Sequence, residues 1–114
     1  MCNMGDYQEA VEQFKKALEI NGDNKAIWNN LGTVYSRLGD QESARECLKK
    51  AIELDEGYEL AWNNLGNANF RCGKHEESLR CYNKALDINP SYRDAMMNKS
   101  QVLIRLGDIT MDEQ

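Results

Sequence analysis

The chain has 114 residues, 14 of them Lys or Arg and 19 Asp or Glu, for a formal net charge of −5. That length fits one small domain, and no apolar run approaches the roughly 18 to 20 residues of a membrane span. The acidic balance opposes non-specific nucleic-acid binding, and Met1 to Asp6 lack the basic start and apolar stretch of a secretory leader.

Gly5-Asp6-Tyr7 opens a first predicted helix, with Asp6 and Glu9 spaced as a capping box and Ala10, Phe14 and Ala17 as packing residues. The second runs from about Ala26 to Leu38. Trp28, Leu31, Tyr35 and Leu38 recur every three or four residues on it and make one apolar face. Gly39 ends it where a left-handed residue costs Gly little, and Asp40 caps the next helix. That helix, Gln41 to Leu54, turns Ala44, Leu48, Ala51 and Ile52 to one side. Gly32 and Ala44 are small, as two closely approaching antiparallel helices require. The same alternation runs through 59–92, and 93–107 reads as one more helix with Met96 in the Trp position and Lys99 where Leu is expected. After Gly107 a following helix would need a small residue where Asp112 stands.

The alternation is a repeat. Trp28-Asn29-Asn30-Leu31-Gly32 returns as Trp62-Asn63-Asn64-Leu65-Gly66, 34 residues on. That shift also maps Gly5 onto Gly39, Gly73 and Gly107, Ala17 onto Ala51 and Ala85, and Cys47 onto Cys81. No hairpin of this kind buries its face alone, so neighbours must stack.

These residues resemble the tetratricopeptide repeat (TPR) family, whose unit of about 34 residues reads W-x2-L-G-x2-Y, then A-x3-F, then A, then P. The unit 25–58 carries Trp28, Leu31, Gly32, Tyr35, Ala44, Leu48 and Ala51; the unit 59–92 carries Trp62, Leu65, Gly66, Tyr82, Ala85 and Pro90. Asn69, Ser78 and Glu56 depart from the pattern. The resemblance implies an all-α, right-handed superhelical solenoid of antiparallel helix pairs. Its phase gives about six helices in the order B-A-B-A-B-A: a partial repeat 1–24, repeats 25–58 and 59–92, and a partial repeat 93–114 of helix A plus a short tail. On that phase the chain is expected to be a cut array with an orphan helix at each end.

In this family the A helices line a concave groove for a peptide or a partner's helix. Asn30, Asn64 and Asn98 form one row along it and Arg37, Arg71 and Arg105 another, seven residues away on the same helix face. Asn29, Thr33, Asn63, Asn67, Phe70 and Gln101 stand beside them. An Asn amide offers a donor and an acceptor to a peptide unit, and the row resembles the asparagine ladder with which some family members hold peptide backbone. The same Asn is also common in repeats that hold no peptide. Guanidinium groups pair with carboxylate or phosphate in a two-pronged geometry, or else each Arg complements the dipole at its helix end. Counting Lys25, Arg37, Arg71, Arg93, Lys99 and Arg105 against Glu59 and Asp94, the A segments carry net +4 and the remainder −9. Such a lining attracts acidic segments.

Co-chaperone members of the family clamp a C-terminal carboxylate with Lys, Asn, Asn, Lys and Arg. The matching places hold Asn29, Thr33, Asn64, Asp94 and Asn98, so that clamp is not expected. Neither a catalytic set nor a cofactor site is expected, since no nucleophile motif or phosphate loop occurs. Glu76 and Glu77, Lys15-Lys16 and Lys49-Lys50 read as solvated outer charges. Cys2, Cys47, Cys72 and Cys81 form no CxxC, and His75 is the single histidine. They read as small apolar side chains more than as metal ligands, and scattered thiols fit a reducing, cytoplasmic compartment. The expected function is a non-catalytic scaffold for a protein or peptide partner of acidic character, with neither nucleic acid nor membrane involved. The alternative is a homo-oligomer joined through the terminal helices, which would grow head to tail.

Overall fold

A computed structural model describes residues 4–112, and side chains over 5–107. Its six helices are α1 (Met4–Ile20), α2 (Lys25–Arg37), α3 (Gln41–Leu54), α4 (Glu59–Arg71), α5 (His75–Ile88) and α6 (Arg93–Asp112). The bounds follow from local chemistry. Asn24 Oδ1 accepts from the amides of Ala26 (3.0 Å) and Ile27 (3.3 Å), and Asp40 Oδ1 from that of Ser43 (3.1 Å). Gly39 and Gly73, at φ 91° and 80°, take the left-handed conformation that lets α3 and α5 fold back on α2 and α4.

The two A-helix glycines are contact points. A Cβ on Gly32 would lie 2.7 Å from Leu48 Cγ and 3.1 Å from the Ala44 carbonyl, and one on Gly66 would lie 2.6 Å from the Tyr82 ring. Each Trp is pinned to the loop before its helix: Trp28 Nε1 donates to Gly22 O and Trp62 Nε1 to Glu56 O, both at 2.8 Å. Gly22 and Glu56 are one repeat apart.

The core is distributed along the stack. One cluster joins Val11 of α1, Leu31 of α2 and Cys47 of α3; the next joins Ala44 and Leu48 of α3, Leu65 and Ala68 of α4 and Cys81 of α5. The backbones of the A helices α2, α4 and α6 approach one another in succession, whereas those of the B helices α1, α3 and α5 stand farther apart and meet only through side chains such as Arg45 and Glu77. Helices close on one side and splayed on the other curve the stack into a superhelical solenoid with an inner face on the A helices. The radius of gyration is 14.9 Å, above the roughly 13 Å of a globular domain this long.

The two ends differ from the sequence expectation. The first helix already begins at Met4, so Asp6 sits inside its first turn instead of capping it. There a carboxylate complements the helix dipole. The last helix does not end at Gly107 but runs on to Asp112, so the expected short tail is helical where described. A fold-back after Gly107 would bring Asp112 to the place of Ala44 and Ser78, both fully buried. Cys47 and Cys81 are buried as expected of small apolar groups, Cys72 is exposed, and Cys2 lies outside the described residues. No described helix is long and apolar enough to cross a membrane.

Candidate peptide-binding face

The inner face is built by two rows that reach backward along the stack. Asn64 Nδ2 donates to Asn29 Oδ1 at 2.9 Å, and Asn98 Nδ2 to Asn63 Oδ1 at 3.1 Å. Each bond spans 35 residues: one repeat plus one position. Asn29 and Asn63 are therefore buried acceptors between helices, at 2% and 4% exposure, and are not free to meet a ligand as they stand. Thr33 Oγ1 bonds the Asn29 carbonyl at 3.0 Å. Asn64 and Asn98 are half-buried and Asn30 is exposed.

The arginines follow the same step. Arg71 Nη1 donates to Ser36 Oγ at 2.7 Å; Ser36 Oγ donates to Gln41 Oε1 at 2.8 Å, and Gln41 Nε2 returns to the Ser36 carbonyl at 3.0 Å. One repeat on, Phe70 and His75 replace Ser36 and Gln41, their rings 5.1 Å apart. Arg105 there lies 6.0 Å over the Phe70 ring, a cation–π contact. Arg37 is exposed and has no ion-pair partner among the described residues. Tyr82 donates its hydroxyl to Asn67 Oδ1, and burial pushes that phenol up to about 12. Gln101 is exposed.

Between α2 and α4 these residues enclose a cavity of about 100 Å³ lined by Thr33, Ser36, Arg37, Leu48, Asn64, Asn67 and Arg71. It brings together five of the twelve expected site residues. Phe70 and Arg105 form a separate aromatic junction, and Asn98 and Gln101 stand apart on α6. Lys25, counted toward the positive lining, instead pairs with Asp55 and lies 4.9 Å over the Tyr58 ring. The bond holds the Asp55 carboxyl below, and the Lys25 ammonium above, its ordinary value.

Among the larger cavities, a repeat-related pair escaped the sequence reading. One, of about 440 Å³, is lined by Lys15, Trp28, Tyr35 and Cys47 among others; the other, of about 390 Å³, by their repeat equivalents Lys49, Trp62, Asn69 and Cys81. The shared 34-residue offset was the available signal. At the second, Asn69 Oδ1 is buried with no hydrogen-bond partner among the described residues.

Stacked helical hairpins with an inner polar ladder define a helical-repeat interaction scaffold. Tetratricopeptide-repeat family models match residues 1–57 and 60–92, and the chain belongs to that family. As a member it is an interaction module, not an enzyme. Among solved structures, the first TPR domain of Spaghetti (RPAP3) bound to an HSP90 peptide, SRMEEVD, is similar at 25% identity and TM-score 0.86, covering 90% of this chain and 82% of that one. The second TPR domain of human RPAP3, in complex with an HSP70 peptide, SGPTIEEVD, is 26% identical with a TM-score of 0.81 over 86% and 82% of the two chains. The Sgt2 TPR domain of Aspergillus fumigatus matches in fold, at 21% identity and TM-score 0.90 over 96% and 74%. Comparison with curated protein sequences returned no match.

Proposed function

We propose that this chain is a scaffold whose concave face holds an extended, acidic segment of a partner protein. The observation that carries this reading is the pairing state of the arginines. In a chain of net charge −5, Arg37 and Arg71 face one inner cavity with no acid in its lining, and neither has an ion-pair partner among the described residues. The peptides held by the RPAP3 domains are themselves acidic, which supports an acidic class of partner here. The five clamp positions hold Asn29, Thr33, Asn64, Asp94 and Asn98, so acidic side chains are the better occupants than a chain-terminal carboxylate. Asn30, Asn64, Asn98 and Gln101 offer amides to peptide backbone beside them. A cytoplasmic setting fits the buried free thiols of Cys47 and Cys81.

Fluorescence anisotropy on arrays of acidic, neutral and basic peptides tests the reading. Acidic peptides are expected to bind with affinity that falls as salt rises. Equal affinity for all three classes, or none for any, sinks it.

A second reading has its own observation. Met96, Met97, Leu103 and Ile104 of α6 are exposed, and α1 presents Ala10, Phe14 and Ala17 only half-buried where their equivalents Leu48, Ala51, Tyr82 and Ala85 are buried. A second copy joining α6 to α1 would cover both faces; a sedimentation coefficient independent of concentration removes this reading.

A further inference from the structure

We infer that the cavity between α2 and α4 is a receptor for a single anionic group, a carboxylate or a phosphate, held by Arg37 and Arg71. The identity of its natural occupant rests on the function proposed above; the existence of the site does not. Four observations carry it.

The lining is chemically one-sided. Two guanidiniums and the Asn67 amide bring donors to it, and no Asp or Glu is among its lining residues. The hydroxyl protons of Thr33 and Ser36 go to the Asn29 carbonyl and Gln41 Oε1, and Asn64 Nδ2 goes to Asn29 Oδ1, so these three shape the site without gripping the anion. Next, neither guanidinium is neutralised elsewhere: the ion pairs of the described residues are Lys25–Asp55, Arg45–Glu77 and Lys50–Glu53. Third, Arg71 is held before any ligand arrives. Ser36 takes one of its five N–H donors, and Gln41 fixes Ser36 in turn. The remaining donors keep the fork that grips an oxyanion in two places. Last, the size fits a charged group: the cavity holds about 100 Å³, on the order of three waters' share of liquid volume.

The neighbouring junction lacks this chemistry. Phe70 stands where Ser36 does, and Arg105 rests on its ring. The arginine row is thus one anion site beside one aromatic contact, and a bound acidic segment is read at one place.

Two-dimensional NMR of the full chain during titration with acetate, and separately with inorganic phosphate, tests this at constant ionic strength set with chloride. Saturable shifts are expected at Thr33, Ser36, Asn64 and Asn67. Arg37→Gln and Arg71→Gln should each weaken binding at least tenfold, Ser36→Ala severalfold, and Arg105→Gln less than twofold. A stronger response to acetate assigns the site to Asp or Glu side chains, and a stronger response to phosphate assigns it to phosphorylated residues. Shifts that never saturate, or a loss in Arg105→Gln equal to that in Arg71→Gln, overturn the inference. Unchanged spectra elsewhere in each variant show that the fold is kept. Because the probes are inorganic or minimal anions, failure to bind peptides would remove the proposed function and leave this result standing, and the reverse also holds.

Discussion

The helix pairs α2–α3 and α4–α5 share a backbone and differ in what fills it. Both turn on a left-handed glycine, both pin a Trp to a loop carbonyl, and both bring a glycine against the partner helix. Under Gly32 lies the flexible Leu48; under Gly66 lies the rigid Tyr82 ring, with Ser78 Oγ bonded to the Gly66 carbonyl at 2.8 Å. At the inner end, the first pair offers Ser36 and Gln41 to the following arginine, and the second offers Phe70 and His75. Positions that set the path of the chain are therefore kept, while those between helices change from polar to aromatic without altering the step.

Substituting the two glycines gives the widest separation. Gly66→Ala is expected to cost about 3 kcal/mol and Gly32→Ala about 2 kcal/mol, both by overpacking. Urea denaturation checks the order: Leu48 can change rotamer, whereas Tyr82, 1% exposed, has nowhere to go. Equal losses would mean that the backbone shifts in both pairs and that the ring is not the obstacle.

Breaking the asparagine ladder probes what the pairs share. Asn64→Ala leaves Asn29 Oδ1 buried without its donor, and Asn98→Ala does the same to Asn63. Each is expected to cost about 1 to 3 kcal/mol, measurable by thermal unfolding. A much smaller loss for one would show that its buried partner reaches water.

The smallest effect separates the pairs by pH. Burial pushes the Cys47 thiol up to about 11 from an ordinary 9.0. In that window the unfolded chain gives up its proton while the folded chain keeps it, so stability falls as pH rises. Cys47→Ala should flatten the decline between pH 9 and 11, and an unchanged slope would assign it to other groups, Cys81 among them.

Most of the fold could be read from periodicity. Helix positions repeat every 34 residues, and small residues at Gly32 and Ala44 announce close approach before any contact is seen. The inner face was only half legible. Spacing along one helix puts Asn64 and Arg71 on a shared side, but their partners lie 35 residues back on another helix. That offset depends on how far successive helices slide, which no single helix encodes. For the same reason polar Asn29 and Asn63 read as surface residues although their amides are satisfied inside. Lys25 counted as lining because its charge was visible and its partner Asp55, across two helices, was not. The start of α1 before Asp6 and the run of α6 past Gly107 were missed because capping and turn signals presuppose a neighbour to fold against.

The backward step of the ladder gives the stack a direction, like an arrow drawn along it. Helix α4 hands the donors of Asn64 and Arg71 back to α2 and presents Asn63 Oδ1 and the Phe70 ring forward to α6. On α6 those acceptor places hold Met97 and Ile104, both exposed. An asparagine or arginine laid across them would meet a thioether and an alkyl chain. The polar code running through α2 and α4 is therefore spelled out on one side of α6 and silent on the other, so any surface that docks there must be chosen by shape and dryness instead of by hydrogen bonds.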